Sequence, residues 1–179
     1  MKRRTFIRVL GSAASGAALG GSAVTAAPAS VPADAGRAAT AVAGADDALM
    51  LDDRGFVAET NATNVFVVWR GMVLTSLPHA CPEGITRAVV LELCRRHGIA
   101  CGERELSLTE VYRAEEVFCT GTMGELVPVL EVDGRKIGSG QAGPITLRLC
   151  EWFRELTATS GVQVVEPPEA AAPPGSSDG

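Results

Sequence analysis

Leu51-Asp-Asp-Arg-Gly-Phe-Val-Ala-Glu-Thr-Asn-Ala-Thr-Asn-Val-Phe66, continued by Val67-Val-Trp-Arg-Gly-Met-Val-Leu-Thr75, is the stretch from which the fold is read. Two apolar, β-branched runs, Val65 to Trp69 and Met72 to Thr75, flank Arg70-Gly71, which has the composition of a tight hairpin turn. Upstream, Ala48 to Leu51 and Phe56 to Glu59 are short strand-like runs on either side of Asp53-Arg54-Gly55. These four segments predict an antiparallel meander.

Downstream the period changes. Ile85, Val89, Leu91, Leu93 and Cys94 form a helical stripe within Thr86 to His97, and Gly98 stops it. A strand near Ala100 to Glu105 follows. Ser107 with Glu110 three residues on is a capping box, opening a short helix to about Ala114. Val117 to Thr120 and Leu126 to Val132 read as strands, Asp133-Gly134-Arg135 turns into Lys136-Ile137, and a last helix starts at Pro144, an N1-like position, and runs to Leu156. The fold class is mixed α/β.

The chain has 179 residues, 46% apolar and 21% charged, with net charge −5: enough for one core, and without the basic face that nucleic acid or anionic lipid requires. Lys2-Arg-Arg-Thr-Phe-Ile-Arg8 and the Ala/Gly run to Ala27 resemble a twin-arginine export address, with cleavage after Ala26, so residues 1–27 are expected to be a signal and the protein exported. Gly11, Gly16, Gly20 and Gly21 break that run, which argues against a stable membrane span there. Residues 28–45 read as a linker and 166–179 as a disordered tail, leaving 46–165 as the folded domain. The five cysteines give no disulfide framework; Cys94, Cys119 and Cys150 sit in apolar patterns as small hydrophobes, and no metal-ligand cluster stands out. His79 and His97 lie in a loop and near a helix end, the usual places of solvated or capping histidines.

Four motifs in unbroken order carry a resemblance: Leu51 to Phe66, then Gly84-Ile-Thr-Arg87, then Ala114-Glu-Glu-Val-Phe-Cys-Thr-Gly-Thr-Met-Gly-Glu-Leu-Val-Pro128, then Ile137-Gly-Ser-Gly-Gln-Ala-Gly-Pro-Ile-Thr146. From Asp46 to Leu156 the chain resembles the C-terminal domain of the class IV aminotransferases, which include branched-chain and D-amino-acid aminotransferases and aminodeoxychorismate lyase. The resemblance implies the D-amino-acid aminotransferase-like fold (fold type IV), as an incomplete barrel-like sheet with flanking helices. It also implies pyridoxal 5′-phosphate as cofactor and amino acids and keto acids as small-molecule substrates.

Each motif has a chemical reading. The cofactor's pyridine nitrogen needs an acidic partner to stay protonated, and Glu59 matches that position. Asn61 and Asn64 are expected to fix the turn that presents it. Ile85 and Thr86 open a helix, where backbone N–H groups and the threonine hydroxyl can meet a phosphate at the positive end of the dipole. Thr86 capping its own helix is the alternative. Gly121-Thr122-Met123-Gly124 can form a small anion-binding concavity. By resemblance Thr122 assists the phosphate, while Met123 and Gly124 approach the substrate carboxylate.

Three departures limit the activity to be expected. The only lysines are Lys2 and Lys136, and neither stands where the family holds its cofactor covalently, so no catalytic residue is assigned. Lys136 reads as an exposed hairpin residue. The smaller N-terminal domain, which walls the cleft, has no counterpart in the sequence, and Pro82 replaces a leucine that packs on the ring. The expectation is a truncated homologue, inactive alone, with cofactor bound noncovalently at best. The alternatives are an exported binder of pyridoxal phosphate or a related phosphometabolite, a homodimer, or an enzyme completed by a complementing chain.

Overall fold

The computed structural model describes residues 5–9, 46–79, 81–122 and 124–161. Among the described residues eight strands and three helices follow in chain order: β1 (Thr5–Val9), β2 (Asp47–Leu49), β3 (Asn64–Trp69), β4 (Met72–Thr75), α1 (Ile85–Arg96), β5 (Cys101–Glu103), α2 (Leu108–Arg113), β6 (Glu116–Gly121), β7 (Glu125–Val132), β8 (Arg135–Lys136) and α3 (Pro144–Thr159). The sheet is open and mixed, in the order β2-β1-β7-β6-β3-β4-β5, with β8 beside β7. All of its pairings are antiparallel except β4 with β5.

The β3–β4 hairpin forms as the sequence indicates. Arg70 and Gly71 both take positive φ, 52° and 72°, the geometry of the tight turn that matches strand twist. β3 is an interior strand, between β6 and β4, and is buried on both faces, which is why Val65 to Trp69 is a continuous apolar run. Val65 and Val67 join Leu49, Leu106, Val111, Val117 and Val129 in one core cluster, under α2 and the loops. Phe66 and Val68 join Val90, Cys94, Leu149 and Phe153 in the other, beneath α1 and α3. Phe66 stacks on its cross-strand partner Phe118 with centroids 4.9 Å apart.

Several expectations are corrected. The meander does not form: β2 lies at the opposite edge of the sheet from β4, paired with β1, while β3 pairs with the distant β6. Phe56 to Glu59 does pair back across the Asp53-Arg54-Gly55 turn, with the Met50 N–H on the Glu59 carbonyl at 2.7 Å, the Ala58 N–H on the Met50 carbonyl at 2.9 Å and the Asp52 N–H on the Phe56 carbonyl at 2.7 Å, but it adds only isolated bridges, Leu51 with Val57 and Phe56 with Ser107, and no strand of the sheet. The reason is local: the Asp52 carboxylate accepts the N–H groups of Arg54 at 3.0 Å and Phe56 at 2.8 Å, curling the segment, and the Val57 N–H turns to the Leu106 carbonyl. β5 is shorter than expected and α3 runs three residues further, to Thr159. The capping box is present, with the Ser107 hydroxyl and the Glu110 side chain each accepting the other's backbone N–H. Thr5–Val9, inside the stretch that resembles an export address, forms β1; the rest of that stretch, the expected linker and the expected tail from 166 lie outside the described residues. Among the described residues no helix is long and apolar enough to cross a membrane.

Candidate functional site

A cleft of about 140 Å³ opens where the ends of β3 and β6 meet the start of α1. It is lined by Glu59, Thr63, Asn64, Pro82, Gly84, Ile85, Thr86, Thr120, Gly121 and Thr122, with Ala62. Glu59, Ile85, Thr86 and Thr122, from segments far apart in sequence, therefore line one cleft. Gly124 is exposed on the turn beyond and does not line the cleft, and Met123 lies outside the described residues.

The floor is the cross-strand pair Asn64 and Thr120. Thr120 is 1% exposed, and its hydroxyl has no hydrogen-bond partner. A buried, unpaired hydroxyl facing a cleft is a polar group waiting for a ligand. Sequence reading missed it because Thr120 is an unremarkable β-branched strand residue; its parity with Asn64 appears only once β3 and β6 are paired.

The rim is α1. Its N-cap is Gly84, with no side-chain cap and no acidic residue in the first turn, so Thr86 does not cap its own helix. The positive end of the dipole faces the cleft without a carboxylate of its own. Gly84 has φ 70° and ψ 119°, and a Cβ there would lie 2.1 Å from Asn64 Oδ1. A Cβ on Gly121 would lie 2.9 Å from Thr63 Cγ2. Both glycines let backbone approach where a side chain would fill the cradle.

Asn64 holds this rim. Its Nδ2 donates to the Pro82 carbonyl at 3.0 Å, so it acts across to the next loop and not on the turn beside Glu59. That turn is closed by Thr60 and Thr63: the Thr60 N–H donates to the Thr63 carbonyl at 2.8 Å, and the two hydroxyls are 2.7 Å apart. The Asn61 N–H reaches Asp47 Oδ1 at 3.4 Å. From below, buried Arg87 donates to the Ser76 carbonyl at 2.7 Å, to the Glu83 carbonyl at 3.4 Å, and to the Glu103 carboxylate. Arg87 was legible only as part of the motif, since nothing local marks an arginine on this stripe as buried.

Glu59 lines the same cleft, and burial raises its carboxyl above the ordinary value. An acid in that state is ready for a cationic partner. The residues present thus fit the phosphate and ring nitrogen of pyridoxal phosphate. They do not fit its aldehyde carbon, for which an amine is required: Lys136 is exposed on β8 and absent from the cleft, and Lys2 lies outside the described residues. His97 is the C-cap of α1 and stacks on Trp152 at 3.6 Å, and His79 sits beside Arg54.

The amino-transferase class IV family profile matches residues 28–132. The chain is 53% identical over 124 residues to branched-chain-amino-acid aminotransferase-like protein 2 of Arabidopsis thaliana, covering 68% of this chain and 22% of that one. It is 44% identical over 115 residues to the branched-chain-amino-acid aminotransferase of Pseudomonas aeruginosa, covering 64% and 38%. Among solved structures, the branched-chain amino acid aminotransferase from Thermobaculum terrenum superposes with TM-score 0.66 at 35% identity, covering 69% of this chain and 41% of that one. The Escherichia coli branched-chain enzyme gives 0.66 at 32%, covering 76% and 50%. This chain spans half or less of the length of each of these relatives. With the fold and these matches in agreement, the chain belongs to the class IV aminotransferase family.

Proposed function

We propose that this chain is a cofactor-holding domain of branched-chain aminotransferase type, which binds pyridoxal 5′-phosphate noncovalently and does not transaminate on its own. The observation that carries the reading is the uncapped start of α1 lying across one small cleft from the orphaned Thr120 hydroxyl. A phosphate there would accept from the Ile85 and Thr86 backbone and from the hydroxyls of Thr86, Thr122 and Thr120. Glu59 would keep a proton on the pyridine nitrogen, and the charge pair would return its raised carboxyl toward the ordinary range. When bound, the protonated ring supplies an electron sink for a substrate carbanion. Among the described residues no amine base lines the cleft, and general acid–base groups contribute about 10² to 10⁴-fold.

The test is titration of purified protein with pyridoxal phosphate, followed by borohydride and peptide mapping. Saturable binding with no fixed lysine adduct is the expected result, with Thr86→Ala and Thr122→Ala each weakening binding about tenfold, the value of roughly one charge-assisted hydrogen bond. Binding unchanged in both variants would sink the cradle.

A second reading, that the cleft is completed by another polypeptide, is favoured by Ile85, which is 86% exposed at the cleft's lip. It requires keto acid formation to appear only when a chain supplying a lysine is added. We further propose export to an extracytoplasmic compartment, on the arginine pair near the amino terminus, with Thr5–Val9 retained as β1 between β2 and β7 and not cleaved away.

A further inference from the structure

Gly98, at φ 70°, reverses the chain at the end of α1, and the Ile99 N–H closes back onto the Cys94 carbonyl at 2.8 Å. β5 therefore returns along the helix that precedes it. Cys101, the first residue of β5, aims its Sγ at the Leu91 carbonyl, 3.7 Å away, one turn before Cys94 on the same helical face. Cys94 is fully buried in the cluster beneath α1, Cys101 packs half-buried against that cluster, and both are free thiols.

We propose that Cys94 and Cys101 form a reversible thiol-oxidation site, closed to a disulfide by exchange with small-molecule disulfides such as oxidised glutathione. Burial first, and then the neighbouring Cys101 thiol, push Cys94 up to about 12. Their unequal burial sets the order of events. Half-exposed Cys101, as thiolate, attacks one sulfur of the small disulfide and expels one glutathione thiolate. Cys94, as thiolate, then attacks the Cys101 sulfur and expels the second. Two protein thiols are oxidised, one glutathione disulfide is reduced to two thiols, and the two cysteine protons end on the two leaving thiolates.

The site bears on the cleft without touching it. Glu103, two residues beyond Cys101 on β5, holds Arg87, two residues into α1 from its start. The ion pair clamps one end of α1 to β5, and the disulfide would clamp the other. β5 is an edge strand of three residues, the kind of element that opens first. An oxidising compartment would drive the bond and a reducing one would reverse it.

The experiment uses the full chain without pyridoxal phosphate, so it is independent of the cofactor reading. Protein is incubated with oxidised glutathione at mildly alkaline pH, residual thiols are blocked, and the digest is mapped by mass. The expected product is a Cys94–Cys101 cross-linked peptide, lighter by two hydrogens, that dithiothreitol restores, together with a raised melting temperature. Cys94→Ala, which keeps the outer thiol, should stop at a stable glutathione adduct on Cys101, and Cys101→Ser should form neither species. In the wild type the closing step should quicken about tenfold per pH unit, because Cys94 titrates far above the working range. A wild-type protein that halts at the Cys101 adduct, links Cys101 to another cysteine, or takes up no glutathione in its native state overturns the proposal.

Discussion

Asn64 Nδ2 donates to the Pro82 carbonyl at 3.0 Å, tying the first residue of β3 to the loop that leads into α1. The two residues are 18 apart in sequence, and the bond fixes how far the helix start stands from the strand. Asn64 Oδ1, on the same amide, leaves no room for a side chain on Gly84. One polar side chain thus sets both the distance and the composition of the rim.

Gly84→Ala should damage this rim more than the fold. The residue sits at φ 70° and ψ 119°, where a side chain costs about 1–3 kcal/mol. The close approach to Asn64 adds a clash that is relieved only by moving the loop. Pyridoxal phosphate affinity is expected to fall more than tenfold, while Asn64→Ala, which frees the Pro82 carbonyl without a clash, should weaken it about three- to tenfold. Fluorescence titration of both variants checks this; equal and unchanged affinities would show that the loop needs no such tether.

Glu59→Gln should stabilise the cofactor-free protein near neutral pH. The folded carboxyl titrates above the ordinary 4.5, so the folded state binds the proton more tightly than the unfolded one. Stability associated with the protonated form is present below 4.5 and is lost as pH rises through the raised folded value. Glutamine mimics the protonated acid and is spared that loss. Melting temperatures across pH should therefore show the variant above wild type at pH 7, with the gap closing in acid. The same variant should bind pyridoxal phosphate more weakly, because the ring cation loses its partner; a variant that is no more stable and binds equally would remove Glu59 from the role.

The parts of this fold visible in the sequence were those set by near neighbours. Arg70-Gly71, the Ser107–Glu110 box and the Gly98 stop are each decided within a few residues, and each formed as expected. Pairing of β3 with β6 and of β2 with β1 is decided by burial across the sheet, which no local pattern encodes. The cleft divides in the same way. Glu59, Ile85, Thr86 and Thr122 take their expected roles from their motifs, whereas Thr120 and Asn64, which lie in the same motifs, gain their place in the cleft from being opposite one another.

Glu110 predicts an acid-sensitive step in stability. Its carboxylate accepts from Arg104 at 2.6 Å and from the Ser107 N–H at 2.9 Å, which hold it down to about 2, the Arg104 bond contributing most. A carboxyl lowered on folding lends stability that is present above its unfolded value and is lost as pH falls through about 2. Because both side chains are substantially exposed, Glu110→Gln should cost only ~0.5 kcal/mol at neutral pH and low salt. Urea midpoints for wild type and variant should converge as pH drops toward 2 or as salt is raised; a gap that persists in both would mean the ion pair is not its source.

Glu116 should be the costliest of these side chains to remove. α3 starts at Gly143 with no side-chain cap of its own, and Pro144 brings no N–H. The next two donors are taken by a carboxylate from β6: Glu116 Oε1 accepts the Ile145 N–H at 3.0 Å, and Oε2 accepts both the N–H and the hydroxyl of Thr146 at 2.7 Å. A Cβ on Gly143 would meet Glu116 Cδ at 2.0 Å, so the glycine exists to admit the acid. Glu116 is 7% exposed, and its charge faces the positive end of the helix. Glu116→Ala leaves buried donors unpaired and should cost about 2–4 kcal/mol. Glu116→Gln keeps one acceptor but turns an amide N–H toward the helix, and should cost about half as much. Chemical denaturation reads both, and pyridoxal phosphate affinity in the folded fraction should not move, since Glu116 is absent from the cleft lining. A loss below ~0.5 kcal/mol for Glu116→Ala would show that water replaces the carboxylate at this helix start.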